Sequence, residues 1–334
     1  MTQHLFLNPQ NRDELMATLA PEKRVAILER VMPGSNVTGM TLEAALAKHK
    51  ADFQVETEPV FVIRGGQVVQ VPGKVATYNG ATKGIFGVVS DTYGVVQTLD
   101  AFAAPRQLIE SGRMELQSLE VKNDGARIRM TGLFGASAFP QLGLDTADIL
   151  AHYGVIECDH AGMSAIRASL HSIRLRCLNG ATSIEIAGRI SVRHTVNAEE
   201  RMHEASKLIF GLEEQAQAEA ALLADLAVTP MSLPEFAGFA NELLPEEEEA
   251  TERMRENRKK QIDDLIGLFQ TGEGNVGRTL YDGFNSVTEW LTPRREQYEK
   301  AKRGQERAFA GAFDSAYSGH SARIRTRALN LLRR

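Results

Sequence analysis

Cysteine is nearly absent. Cys158 and Cys177 are the only two in 334 residues and no CxxC pair occurs, which excludes a disulfide framework and fits a reducing compartment. Long apolar runs are missing as well. No stretch approaches the roughly 18 residues that a membrane span requires, and the opening MTQHLFLNPQNRDEL has no basic stretch followed by an apolar block. Neither a membrane partner nor a secretory leader is expected, and the expected location is the cytoplasm. Excess positive charge is lacking too: the net charge is −5 and the pI near 6.0. A protein of this balance does not coat duplex DNA by charge alone, so any nucleic-acid site must be local.

What is present begins with turns. Val60, Val62, Val68 and Val71 flank Gly65-Gly66; Val75 to Tyr78 and Ile85 to Val89 flank Asn79-Gly80; Glu115 to Lys122 and Ala126 to Phe134 flank Asn123-Asp124-Gly125. These dipeptides supply the positive φ angles of tight hairpins, and their succession predicts a largely antiparallel sheet. Helical signals surround it. Pro21 opens PEKRVAILERVM and Gly34 closes it, a short helix follows Thr41, and TLDAFAAPRQLIESG reads as a helix interrupted at Pro105. Beyond His194, Asn197 with Glu200 and Ser232 with Glu235 have capping-box spacing, and Met202 to Leu223 trace an apolar stripe. The charged run from Glu246 to Asp264 has the pattern of a solvated helix. The expected class is α+β: an N-terminal helical segment over 1–50, a β-rich core over 51–196, and a helical region over 197–334.

Charge in the core is uneven. Arg167, Arg174, Arg176, Arg189 and Arg193 fall within one stretch against the single carboxylate Glu185, with His194 after them. In the third hairpin Ala126, Ile128 and Met130 alternate with Arg127, Arg129 and Thr131, which directs both arginines to one face. Residues 161–177 satisfy a helical repeat (Met163, Ile166, Leu170, Ile173, Cys177) and a strand alternation with one slip; both readings expose Arg167 and Arg174. The candidate DNA-binding residues are therefore Arg127, Arg129, Arg167, Arg174, Arg176, Arg189, Arg193 and His194. The plain alternative is a set of intramolecular or intersubunit salt bridges. Gly272 to Thr279, GEGNVGRT, matches a phosphate-binding loop with Arg278 in place of lysine; a flexible glycine connector between helices is the better account. Cys158, His160, His171 and Cys177 form a loose zinc pattern, against which stand buried thiols and a hydrogen-bonded histidine. Asp159 beside His160 has no marked catalytic partner. The C-terminal stretch interleaves many arginines with Trp290, Tyr298, Phe309, Phe313 and Tyr317, either as an amphipathic helix or as a stacking surface.

The runs GVVSDTYGVVQTLDAF, CDHAGMSAIRASLHSIRLRCLNGAT, ISVRHTVNAEER and GRTLYDGFNSVTEWL resemble a phage- and plasmid-borne family classified only as a domain of unknown function, from about Val75 onward. Ala161 and Gly180 stand where that family usually has glycine and threonine. Through it the chain is distantly similar to the single-strand annealing recombinases of the Red-beta type. The resemblance implies ATP-independent binding and annealing of single-stranded DNA in recombination, with no cofactor, by a ring or filament of identical subunits that works beside a partner nuclease. Two other classes stay open: a nucleotide-binding enzyme using Gly272 to Thr279, and an assembly protein whose arginines join subunits.

Overall fold

The structure is a computed structural model, and it describes residues 2–8, 10–19, 34–163, 166–175, 180–182, 190–192, 211–291 and 319–334. It is α+β, with antiparallel sheets and helices concentrated toward the C-terminus. The helix expected at Pro21 and the apolar stripe before Gly211 lie outside the described residues.

Among the described residues the main sheet has eight strands. Its centre is β7 (Arg127–Phe139), β8 (Asp148–Asp159) and β9 (Ile166–Arg174). One edge of β7 is shared: β6 (Glu115–Lys122) pairs with its first half and the short β1 (Gln3–Phe6) with its second. Beyond β6 lies β2 (Ser35–Asn36), and β10 (Gly180–Thr182) and β11 (Ile190–Val192) divide the outer edge of β9. Residues 1–50, expected as a helical segment, hold α1 (Arg12–Thr18) and α2 (Leu42–Lys48) together with β1 and β2. A second sheet joins β3 (Val55–Arg64), β4 (Gln67–Asn79) and β5 (Ile85–Ser90). Each expected hairpin is present, and Gly65 and Gly66 have φ of 60° and 79°, the pair of positive angles that a type I′ turn needs.

Residues 166–174 form a strand because the sheet buries both of its faces at one end. Ile166, Ala168 and Leu170 join the core beneath α2, while Ile173 joins Leu15, Met16 and Leu19 from α1 on the opposite side. The apparent slip in the alternation marks the place where the second face becomes buried, and the register with β8 runs unbroken. Pro105 divides the next helix as its chemistry requires. α3 (Thr98–Ala101) ends and α4 (Ala103–Glu110) begins around Phe102, because the proline ring would collide with the carbonyl of residue 101 in a continuous helix.

The C-terminal layer comprises α5 (Leu212–Val228), α6 (Leu233–Leu243), α7 (Glu252–Thr271), α8 (Leu280–Leu291) and α9 (Gly319–Leu332). Ser232 and Glu235 close the capping box expected for α6. Residues Tyr281 to Glu289 of α8 are all buried, so α8 is the axis on which α7, α9 and α5 pack. Phe236 and Phe269 stack at 4.3 Å within this core, and each buried ring contributes about 2 to 3 kcal/mol by removal from water.

Candidate nucleic-acid interface

Antiparallel register decides which arginines meet. Glu120, Arg129, Glu157 and Arg167 lie directly opposite one another across β6, β7, β8 and β9, and Lys122, Arg127 and Asp159 form the next row. Directly opposed residues share a face, so the sheet carries a stripe of alternating charge. Arg127 Nη2 lies 2.6 Å from Glu157 Oε1 and Arg129 Nη2 2.7 Å from Glu157 Oε2. Arg129 also reaches Glu120 at 3.3 Å, and Lys122 reaches it at 3.1 Å. Burial pushes the Glu157 carboxyl up, yet Arg129 and Arg127 together outweigh it and hold the group below its ordinary range. Arg127 and Arg167 are half-buried and Arg129 is buried.

Arg174 departs from expectation. It was to be exposed, and it is 0% exposed. Even-numbered residues of β9 face the α-helical layer, so Arg174 lies on the face opposite Arg167. Its Nε donates to Asp148, and its Nη2 donates to Gln141 Oε1 at 2.7 Å and to the Gly274 carbonyl at 2.9 Å. The guanidinium also packs over the Tyr281 ring, 4.8 Å from its centre. A cation so enclosed joins β9 to the loop before α8 and presents nothing to a phosphodiester. Of the eight candidates the structure therefore brings together Arg127, Arg129 and Arg167 and turns Arg174 away; Arg176, Arg189, Arg193 and His194 lie outside the described residues.

The Gly272–Thr279 loop is organised from within. Asp282 accepts from the amides of Val276, Arg278 and Thr279 at 3.2, 2.9 and 3.1 Å, and Gln141 Nε2 donates to it at 2.7 Å. The amides that would cradle a phosphate already hold this carboxylate, at the start of α8 where the helix dipole favours negative charge. Cys158 lies 3.7 Å from His160, which also bonds Thr98 Oγ1 at 3.0 Å. His171 is on the other face of the sheet, bonded to Ser169 Oγ at 2.7 Å. Cys177 lies outside the described residues, and among those described no three His, Cys, Asp or Glu side chains are grouped to hold a metal ion. Asp159 accepts from the Ala161 amide at 2.9 Å.

A chain of polar side chains crosses the sheet and had no sequence signal beyond its residue types. His4 Nδ1 contacts Ser137 Oγ at 2.9 Å, Ser137 contacts His152 Nε2 at 2.8 Å, His152 Nδ1 contacts Ser172 Oγ at 2.8 Å, and Ser172 donates to Glu219 at 2.8 Å. Burial lowers His152 to about 3 and raises Glu219 to about 8, so both are neutral near pH 7.

α9 carries exposed arginines along one face. Arg323, Arg327 and Asn330 follow at intervals of four and three residues, which is one helix face, and Arg334 lies two residues past the helix end. Together with Thr326, Leu331 and Glu242 they line an open groove of about 470 Å³. Arg327 Nη2 donates to the Glu242 carbonyl at 2.9 Å and Arg334 pairs with its carboxylate at 3.1 Å. After Asp314 the sequence contains no acidic residue. The sequence showed arginines near the C-terminus; their row along one open face comes from the structure.

Residues 85–316 match the family model described as Domain of unknown function (DUF932). The chain belongs to this family. The match names no activity for a DUF932 protein, and it begins close to where the sequence resemblance begins. No curated protein and no solved structure matches the chain. Among the described residues no helix is long and apolar enough to cross a membrane.

Proposed function

We propose that this DUF932 protein binds single-stranded DNA and anneals complementary strands without ATP, as a homo-oligomer serving phage or plasmid recombination. The observation that carries the reading is the α9 face, where three exposed arginines line one groove against one glutamate. From Arg323 to Leu332 the helix rises about 14 Å, and Arg334 extends the row past its end. Half-exposed Arg167, with Arg176, Arg189, Arg193 and His194 after it in the chain, forms the second element of the proposed interface. Arg127 and Arg129 hold the Glu157 carboxylate, and Arg174 supports the fold. Backbone contacts of this kind leave bases free to pair, so annealing needs no covalent chemistry. The distant similarity to annealing recombinases supports the same reading.

The test is fluorescence anisotropy of a labelled oligonucleotide, single-stranded and duplex, over a series of salt concentrations. Binding should favour single strands and weaken linearly on a log–log plot. Changing Arg323, Arg327 and Arg334 together to Ala should reduce the slope by about 2, since each phosphate neutralised contributes about 0.7. Complementary strands labelled as a fluorescence-transfer pair should anneal faster with protein and without ATP. Absence of binding at low salt, or an unchanged slope in the triple variant, refutes the interface.

A further inference from the structure

The tip of the β3–β4 hairpin is an apolar ribbon exposed on both faces. Phe61 is 56%, Ile63 79% and Val68 71% exposed on one face, and Val62 and Val69 are exposed on the other. A two-stranded ribbon of this kind is marginal in water by itself. β5 pairs with β4 only from Lys74 to Tyr78, and β3 has no neighbour on its outer side among the described residues. An open edge of β-branched residues is a template for another strand.

Hydrogen-bond direction along this edge follows from the turn. Arg64 and Gln67 flank the two-residue Gly65-Gly66 loop and so exchange both backbone hydrogen bonds. The amides of Val62 and Arg64 therefore turn inward to β4, and those of Phe61 and Ile63 turn to the free edge. Pro59 offers a carbonyl there and no N–H.

We propose that two copies of this chain join by antiparallel pairing of their β3 edges about a two-fold axis at Phe61, making one six-stranded sheet from two three-stranded ones. In that register Phe61 meets the partner's Phe61, Ile63 meets the partner's Pro59, and Arg64 meets the partner's Glu58. The charges select it. Glu58 and Arg64 are both exposed, lie three residues to either side of Phe61, and share a face. Centred on Val60, the pairing would direct Arg64 to the partner's Glu56, a group already engaged by Tyr78 Oη at 2.6 Å. Centred on Val62, it would leave both charges without a counterpart. A foreign strand must supply a glutamate and an arginine at the right separation, and a second copy does so by symmetry. The edge is short against the roughly 800 Å² per partner of a stable complex, so the dimer is reversible. This names a contact surface for the homo-oligomer of the proposed function and holds whether or not the protein binds DNA.

Sedimentation velocity without nucleic acid tests it, over about 1 to 200 μM protein. The native chain should pass from monomer to dimer. Arg64→Glu and Glu58→Arg should each weaken association by about tenfold or more, since like charges then face each other. Mixing the two variants should restore association as a one-to-one heterodimer, because each then presents the charge the other lacks. That recovery separates the register from simple damage to the arm, and folding of each variant is checked by circular dichroism. A native chain that stays monomeric, charge variants that associate undiminished, or a mixture that fails to recover would each overturn the proposal. Association by an arm whose partner is another protein or DNA gives the first of these results.

Discussion

Removing the Asp148 carboxylate is expected to be among the most damaging single changes in this protein. Arg174 is fully enclosed, its Nε donates to the Asp148 carboxylate, and Gln141, Gly274 and Asn275 supply uncharged acceptors. Asp148→Ala leaves the guanidinium charged and buried beside these acceptors and the Tyr281 ring, and breaking a buried pair from one side costs about 3 to 5 kcal/mol. Against a typical domain stability of about 5 to 15 kcal/mol, that raises the unfolded fraction on the order of 100-fold or more. Trp290 is the only tryptophan and lies in α8, the helix whose Tyr281 covers Arg174, so its fluorescence reports on the affected layer during urea unfolding. With a slope near 3 kcal/mol per molar urea, the midpoint should fall by about 1 M or more. The double variant Asp148→Leu, Arg174→Met should regain much of the loss, because no uncompensated charge remains. A shift in Asp148→Ala worth less than about 1 kcal/mol would refute the account of this pair.

Stability should depend on pH through three buried groups. His152 and His171 are held near 3 by burial, against 6.5 ordinarily, so below pH 6.5 the unfolded chain binds more protons and stability falls toward pH 3. Glu219 is raised to about 8 by burial, so between pH 4.5 and 8 the folded chain binds more protons and this contribution is lost as pH rises. Urea midpoints over this range should peak near pH 6.5, and Glu219→Gln should gain on the order of 4 kcal/mol at pH 8 while losing that advantage below pH 4.5; a constant difference across pH would contradict the assignment. Gly125 has φ of +98°, and a Cβ there would lie 2.3 Å from the Phe53 ring. Gly125→Ala should lower stability by about 2 kcal/mol or more in the same assay, and a neutral result would show that the β6–β7 turn can relax.

The hairpins at Gly65-Gly66 and Asn123-Asp124-Gly125 were legible because their turns hold residues suited to φ above zero, whereas in the Asn79-Gly80 loop the positive φ falls on Lys83; the Ser232 cap was legible because its partner lies three residues away. β1 was not, since four residues gain their strand character only from β7, more than a hundred positions along the chain. Counting charge along the sequence also misled. Between Arg167 and Arg193 only Glu185 is acidic, yet Glu157 and Glu120, on other strands, balance the sheet arginines. Alternation assigned Arg127 and Arg129 to one face correctly, and the supposed slip after Leu170 exposed Arg174 together with Arg167 although the strand runs straight through. Burial of both sheet faces hides parity from a hydrophobicity pattern.

The relay from His4 to Glu219 has a temporal meaning. Its first member lies on β1 and its last on α5, so 215 positions separate the two ends of one hydrogen-bonded row. During synthesis His4, Ser137 and His152 emerge well before Glu219, and until α5 arrives Ser172 has no carboxylate to meet. Contacts of such long range form late and slow the search for the native state. The polar row on this otherwise apolar face is thus completed only when the helical layer docks on the sheet.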